Sequence, residues 1–322
     1  MISVAIGPEK DTPSWNWVGF DTQRELSKYY KMLTFTSYER MPECDCVLAI
    51  KHPWKLRDKK DLIKAKGQRA IVYCPIDYFG SSDHIRQESA FLSSCEALAF
   101  HSERLMPYFL KSNKNLYFVE HNNKYMLEVT NSYKKDGYIL WIGGFQYVPF
   151  LVQALNKHRL KYEVKILSDA KNNRALQAAK QVANQINVHI NYSPNLSTVN
   201  EIKCYDWNER TQQEMMQECK AAIDIKYTND FNQNTKPPTK AQKFVSSGIP
   251  FSINNNSYSF EYFQKRGFSL AEPSDQKRWF SEEYHSETLK FASLLRHETS
   301  MEVVGKKFKE IIDAAVTSKR GK

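Results

Sequence analysis

Hydrophobic positions along the 322-residue chain fall into short apolar runs separated by longer polar or amphipathic stretches. Residues 2–6 are apolar around Ser3 and run into Gly7-Pro8, which predicts a buried first strand and a loop. Five further apolar runs, at residues 32–36, 46–50, 70–75, 97–100 and 116–119, are each separated from the next by helical or loop sequence. Strands that alternate with helices predict a parallel sheet. The first loop carries Trp15, Trp17 and Gly19, after which Thr22 with Glu25 three residues on predicts a capping box for a helix holding Leu26, Tyr29 and Tyr30.

The pattern restarts after the polar stretch 131–137. Residues 138–142 form an apolar run that ends in Gly143-Gly144 and leads into the periodic Val148, Leu151 and Leu155. Runs at 164–167 and 188–190 predict further strands, Tyr205 and Trp207 precede an amphipathic helix over 211–221, and Ile223 with Ile225 reads as another strand. A polar loop over 228–235 follows. Pro237 and Pro238 then suit the first turn of a helix that Thr239 would cap, Phe244 and Val245 would turn inward, and Gly248 and Pro250 would end. Near the end, Thr299 and Glu302 predict a cap for a helix with Val304, Phe308, Ile311, Ile312 and Ala315 on one face. The domains expected are 1–136, 137–299, and a terminal helix with a basic tail at 300–322.

A content of 41% hydrophobic and 13% aromatic residues is enough for two cores. The chain begins without a basic leader and holds no run of about 18 apolar residues, so a cytoplasmic protein without a transmembrane segment, or one peripheral to a membrane, is expected. Of the six cysteines, Cys44 and Cys46 stand together and the other four are scattered, which predicts buried free thiols rather than disulfides or zinc. The formal charge of +10 favours a polyanionic partner. Between Lys51 and Arg69, eight basic residues against two acidic ones give 8 − 2 = +6. Lys59, Lys60, Lys64 and Lys66 are therefore candidates for holding an anionic acceptor, a membrane surface or nucleic acid, and the plainer reading is a solvated helix face.

An open parallel sheet keeps its ligands at the C-terminal strand ends. Asp77, His101 with Ser102, and His121 with Asn122 follow the fourth, fifth and sixth strands, and Asp77 and His101 are the candidate catalytic groups. A lone histidine is more often structural than catalytic. In the second half, two glycines at a strand end let backbone approach a ligand closely, and a helix N-terminus beside Lys236 and Lys240 makes a seat for a diphosphate. There is no G-x-G-x-x-G, G-x-S-x-G, H-E-x-x-H or D-x-D segment, which disfavours ordinary dinucleotide binding and hydrolase chemistry and fits a metal-independent reaction.

Lys236-Pro-Pro-Thr-Lys240, Lys243 and Ser247-Gly-Ile-Pro250 resemble the K-P-x-N-K/R…G-x-P segment of GT-B glycosyltransferases, especially the group 1, glycosyltransferase family 4-like branch. The resemblance implies an α/β chain of two Rossmann-like domains facing a central cleft, with the C-terminal helix crossing back to the first. The first domain would take the acceptor. The second would bind a nucleotide-diphosphate sugar as donor substrate through Gly143, Gly144, Lys236, Thr239, Lys240 and Lys243, with no further cofactor. The chain departs from the family at both glutamates of its E-x7-E pair, which are Thr235 and Lys243 here. That leaves two other classes open: a nucleic-acid- or anionic-membrane-binding protein, including one that sugar-modifies DNA, and a catalytically inactive GT-B scaffold.

Overall fold

The computed structural model describes residues 1–12, 14–51, 59–60, 62–64, 67–129 and 132–321. They form two compact units. The first comprises Met1–Lys124, Asp230–Pro237 and His297–Lys322, and the second Tyr125–Asn229 and Pro238–Arg296.

In the first unit, strands β1 (Ser3–Gly7), β2 (Lys31–Thr34), β3 (Cys46–Ile50), β4 (Ala70–Cys74), β5 (Ala97–Phe100) and β6 (Leu116–Phe118) make one parallel sheet of order β2-β1-β3-β4-β5-β6. Successive side chains of a strand point to opposite faces, and both faces are buried here. Val4, Ile6, Leu48, Ile50 and Val72 pack on one side with Val304, Phe308, Ile311 and Ile312 of the terminal helix Met301–Arg320. Ala5, Val47, Ile71, Tyr73 and Phe100 pack on the other, under Ile85, Phe91, Leu92 and Phe109. The terminal helix is thus part of the first unit although it is last in sequence.

In the second unit, β7 (Ile139–Ile142), β8 (Val164–Ser168), β9 (Thr198–Val199), β10 (Ile202–Asp206), β11 (Ala221–Ile223) and β12 (Phe251–Ser252) take the order β12-β11-β7-β8-β10-β9. All pairings are parallel except β9 with β10. β7 and β11 are central and fully buried.

Several local expectations are corrected. Residues 188–190 are not a strand: Asn187 turns the chain through φ +52° and the run stays partly exposed, while the strand beside β8 is β10, which carries Tyr205, and β9 forms the edge. No capping box starts the first helix, Phe20–Leu26. Its N-cap is Gly19, and Thr22 and Glu25 lie buried within it, Glu25 accepting from Lys28 at 2.7 Å. Gly19 is required there, since a Cβ would fall 2.3 Å from the Trp15 ring. The last helix is capped one residue later than expected, by Ser300 Oγ accepting from Val303 N, because Thr299 Oγ1 accepts from Asn123 Nδ2 at 3.2 Å. The stretch expected as a polar loop contains a helical turn, Phe231–Thr235, begun by Asp230 accepting from Gln233 N at 2.8 Å.

Candidate functional site

β7 delivers Gly143-Gly144 and β11 delivers Asp224 to the same C-terminal edge of the second sheet. Ser168 Oγ, at the end of β8, donates to Gly143 O at 2.7 Å, and Asp169 Oδ1 accepts from Phe145 N at 2.8 Å, so the glycine turn is held from its neighbouring strand. Asp224 is buried at 2% exposure, a costly place for a carboxylate unless it is paired. Lys240 Nζ donates to its Oδ1 at 2.7 Å, and Lys226 Nζ forms an ion pair with Oδ2 at 2.8 Å. Burial alone would raise the Asp224 pKa, but the two lysine charges outweigh it and hold the carboxyl down at about 2.

Lys226 is fixed in turn by Asn254, whose Oδ1 accepts from Lys226 N at 2.8 Å and whose amide donates to Lys226 O at 3.1 Å. The Lys240 ammonium also stands 5.0 Å from the Trp141 ring centroid. Thr239, expected as the cap, is instead the first residue of the helix Thr239–Ser246, which follows Pro238. Its hydroxyl is buried without a partner among the described residues. Gly143, Thr239, Lys240, Asp224, Lys226 and Trp141 therefore form one cluster, with two cations to one carboxylate and a net charge of +1.

Asp224 and Lys226 were missed from sequence. Asp224 sits where Ile223 and Ile225 suggest an uninterrupted strand, and its signal was an acidic residue inside that apolar pair. Lys236 falls in the first unit and the cluster in the second. Lys243 turns elsewhere: it is buried, donates to Gln212 Oε1 at 3.2 Å, and stands 5.5 Å from the Tyr125 ring centroid. Burial pushes its ammonium down to about 8. Gln212 Oε1 also accepts from Trp207 Nε1 at 3.0 Å.

The glycine turn gives a direct test. A Cβ on Gly143 would lie 2.7 Å from Trp141 ring atoms and 3.2 Å from Lys240 Nζ, so the lysine or the indole must move. Gly143→Ala is expected to weaken nucleotide-diphosphate affinity about tenfold, or 1.4 kcal/mol, as read by calorimetric titration. Unchanged affinity would mean that no ligand approaches this turn.

In the first unit, Asp77 is exposed on the turn after β4, next to Ile76 at φ +47°. His101 is buried, with Nδ1 2.6 Å from Val119 O and Nε2 3.2 Å from Cys74 Sγ. The carbonyl requires Nδ1–H as donor, which leaves Nε2 to accept from the thiol. Both ring nitrogens are thus occupied, and burial drives the pKa to about 4, so His101 is neutral and structural in this arrangement. Edge-on to it, at 3.9 Å between centroids, His121 keeps a buried Nε2 without a partner among the described residues and lies 6.5 Å from the Trp17 ring. Trp17 Nε1 donates to Asn122 O at 2.7 Å, and Trp15 is core.

Of the basic stretch, Lys59 is paired with Glu88, and Arg69 with Glu43 at 2.6 Å, while Lys60 and Lys64 are exposed. Lys66, together with Lys55 and Arg57, lies outside the described residues. Among the described residues no cluster of His, Cys, Asp and Glu suits a metal, and no helix is long and apolar enough to cross a membrane.

Two Rossmann-like units, with the last helix returned to the first, define the GT-B fold of glycosyltransferases, and this chain has it. The chain is similar along nearly its whole length to AviGT4, a glycosyltransferase involved in avilamycin A biosynthesis (TM-score 0.58, 9% identity, 99% of each chain). It is likewise similar to Anabaena HepE, solved in complex with UDP-glucose (TM-score 0.62, 10% identity, 97% of this chain and 100% of HepE). A third likeness is to a glycosyltransferase from Rickettsia africae (TM-score 0.57, 11% identity, 97% of each chain). No family model matches the sequence, and no curated protein matches it.

Proposed function

We propose that this chain is a glycosyltransferase that moves a sugar from a nucleotide-diphosphate donor to an acceptor without a metal ion. The observation that carries the reading is the Gly143–Asp224–Lys240 cluster at the C-terminal strand edge of the second unit, in a chain with the GT-B fold. Gly143 lets the Trp141 ring and the Lys240 ammonium come close to the backbone at the strand end, and the start of the helix Thr239–Ser246 supplies N–H groups and a positive dipole end. Lys240, aimed by Asp224, supplies the charge. Groups fixed in place before charge develops on the departing diphosphate are what stabilises such a leaving group. For the acceptor hydroxyl, the exposed Asp77 is open to take a proton, whereas the nitrogens of His101 are engaged and His121 Nε2 is buried.

Thermal shift with UDP, GDP, ADP, CDP and UDP-glucose tests the reading, and UDP-glucose leads the panel because HepE was solved with it. A ligand at 100 times its Kd adds about 2.7 kcal/mol to stability, and one of the five is expected to do so. Transfer is expected to survive EDTA. Loss of activity restored by Mg²⁺ would overturn metal independence.

A second reading, an inactive GT-B scaffold, is favoured by one observation. Lys243 stands in place of a glutamate and is buried against Gln212, a donor where the family has an acceptor. A panel in which no nucleotide shifts the transition would support that reading against ours.

A further inference from the structure

The N-terminal edge of the second sheet holds a feature that donor binding does not use. Lys220, just before β11, Pro250, just before β12, and the segment that precedes β7 border a cavity of about 500 Å³. That volume is in the range of small-molecule sites. Lys134, Lys220 and His285 line it, alongside apolar wall from Leu127, Met216 and Ile249.

The hydrogen-bond acceptors of the two lysines are all neutral, although the Asp136 carboxylate bears electrostatically on Lys220. Lys220, 5% exposed, donates to the carbonyls of Lys134 and Lys135 and to Tyr133 Oη at 3.2 Å, with its ammonium 4.5 Å from the Tyr133 ring centroid. Lys134 donates to Gln217 O and to Cys219 O at 3.0 Å, closing the end of the helix Glu209–Glu218. Carbonyls and rings orient an ammonium but do not cancel its charge, and neither lysine forms an ion pair among the described residues.

His285, 7% exposed, packs edge-on to Tyr133 at 5.7 Å and makes no side-chain hydrogen bond among the described residues. The one acidic residue in the described wall is Glu128, which is exposed and interacts electrostatically with Arg296. The described wall therefore carries two ammonium groups to one carboxylate, an imidazole without a side-chain hydrogen bond and an apolar floor.

We propose that this cavity is a second ligand site that takes a small organic anion, with one phosphate or carboxylate head and a compact apolar body. The head would lie toward Lys134, Lys220 and His285, and the body against Met216 and Ile249. The site is separate from the diphosphate seat by the length of the helix Thr239–Ser246, about 12 Å for eight residues. It does not depend on the glycosyltransferase reading.

Calorimetric titration of the full chain at fixed ionic strength, with phenyl phosphate, benzoate and inorganic phosphate as probes, tests it. Phenyl phosphate or benzoate is expected to bind saturably at one site and at least fivefold more tightly than inorganic phosphate. Lys134→Met and His285→Leu are each expected to weaken that binding at least fivefold, and Lys240→Ala to leave it unchanged. Lys220→Met also removes the ties to the Lys134 and Lys135 carbonyls and can fail to fold, so the two other variants carry the test, with circular dichroism confirming their fold. The proposal is overturned if neither organic probe binds saturably. It is equally overturned if Lys240→Ala abolishes binding while Lys134→Met and His285→Leu do not, since the anion would then occupy the diphosphate seat.

Discussion

Asp224→Ala is expected to destabilise the second unit by about 3 kcal/mol and to abolish nucleotide-diphosphate binding. Removing one member of a buried ion pair strands the other, typically at about 3–5 kcal/mol. The Lys240 and Lys226 side chains keep 24% and 10% exposure, so water recovers part of the loss and the lower figure applies. Binding fails for a different reason: without the carboxylate, the Lys240 ammonium loses the acceptor that aims it toward a phosphate. Lys240→Ala should separate the two effects, because it weakens binding while one lysine still pairs with Asp224.

The pH dependence follows from the same pair. The folded pKa, about 2, lies below the ordinary 3.8. The contribution is therefore complete above the unfolded value and disappears as pH falls through about 4 toward 2, amounting to about 2 kcal/mol. Urea unfolding at pH 7 and at steps down to pH 3 should show wild type losing stability over that window more steeply than Asp224→Ala. Parallel curves would mean that the lysines do not depend on this carboxylate.

Much of this architecture was legible in the chain, because buried parallel strands must be short apolar runs wherever they occur. β3, β4 and β5 lie within or at the ends of the apolar runs, and Gly143-Gly144 falls where β7 ends. What escaped was set by contacts distant in sequence. Nothing near Glu25 indicates that it is buried within a helix against Gly305, 280 residues later, rather than closing a capping box. Lys240 could be placed at a helix start from Pro237 and Pro238, but its partner Asp224 is 16 residues away on another strand. A glutamate-to-lysine difference at Lys243 looks from sequence like a changed contact to a ligand. The structure gives it a buried partner, Gln212, so the same residue also has a packing role that no local pattern could reveal.

The largest effect on the first unit is expected from the terminal helix. Truncation after Thr299 should abolish that unit's cooperative unfolding transition, and Phe308→Ala alone should cost about 3–5 kcal/mol. Val304, Phe308, Ile311, Ile312, Ala315 and Val316 are each at most 3% exposed and share one core with Val4, Ile6, Leu48, Ile50 and Val72 from three neighbouring strands. A parallel sheet needs both faces covered, and this helix closes the face that the Phe20–Leu26 helix leaves open. Polar ties fix its register: Tyr30 Oη lies 2.7 Å from Asp313 Oδ1, Lys307 pairs with Glu120, and Arg320 meets Asp45 at 2.8 Å. Close approach is built in at Gly305, where a Cβ would fall 2.3 Å from Glu25 Cγ, so Gly305→Val should destabilise by overpacking, by about 1–3 kcal/mol. Calorimetric unfolding of the truncated chain, Phe308→Ala and Gly305→Val would measure all three. A truncated chain that kept wild-type near-ultraviolet circular dichroism and two intact transitions would show that the first sheet holds its core without the helix.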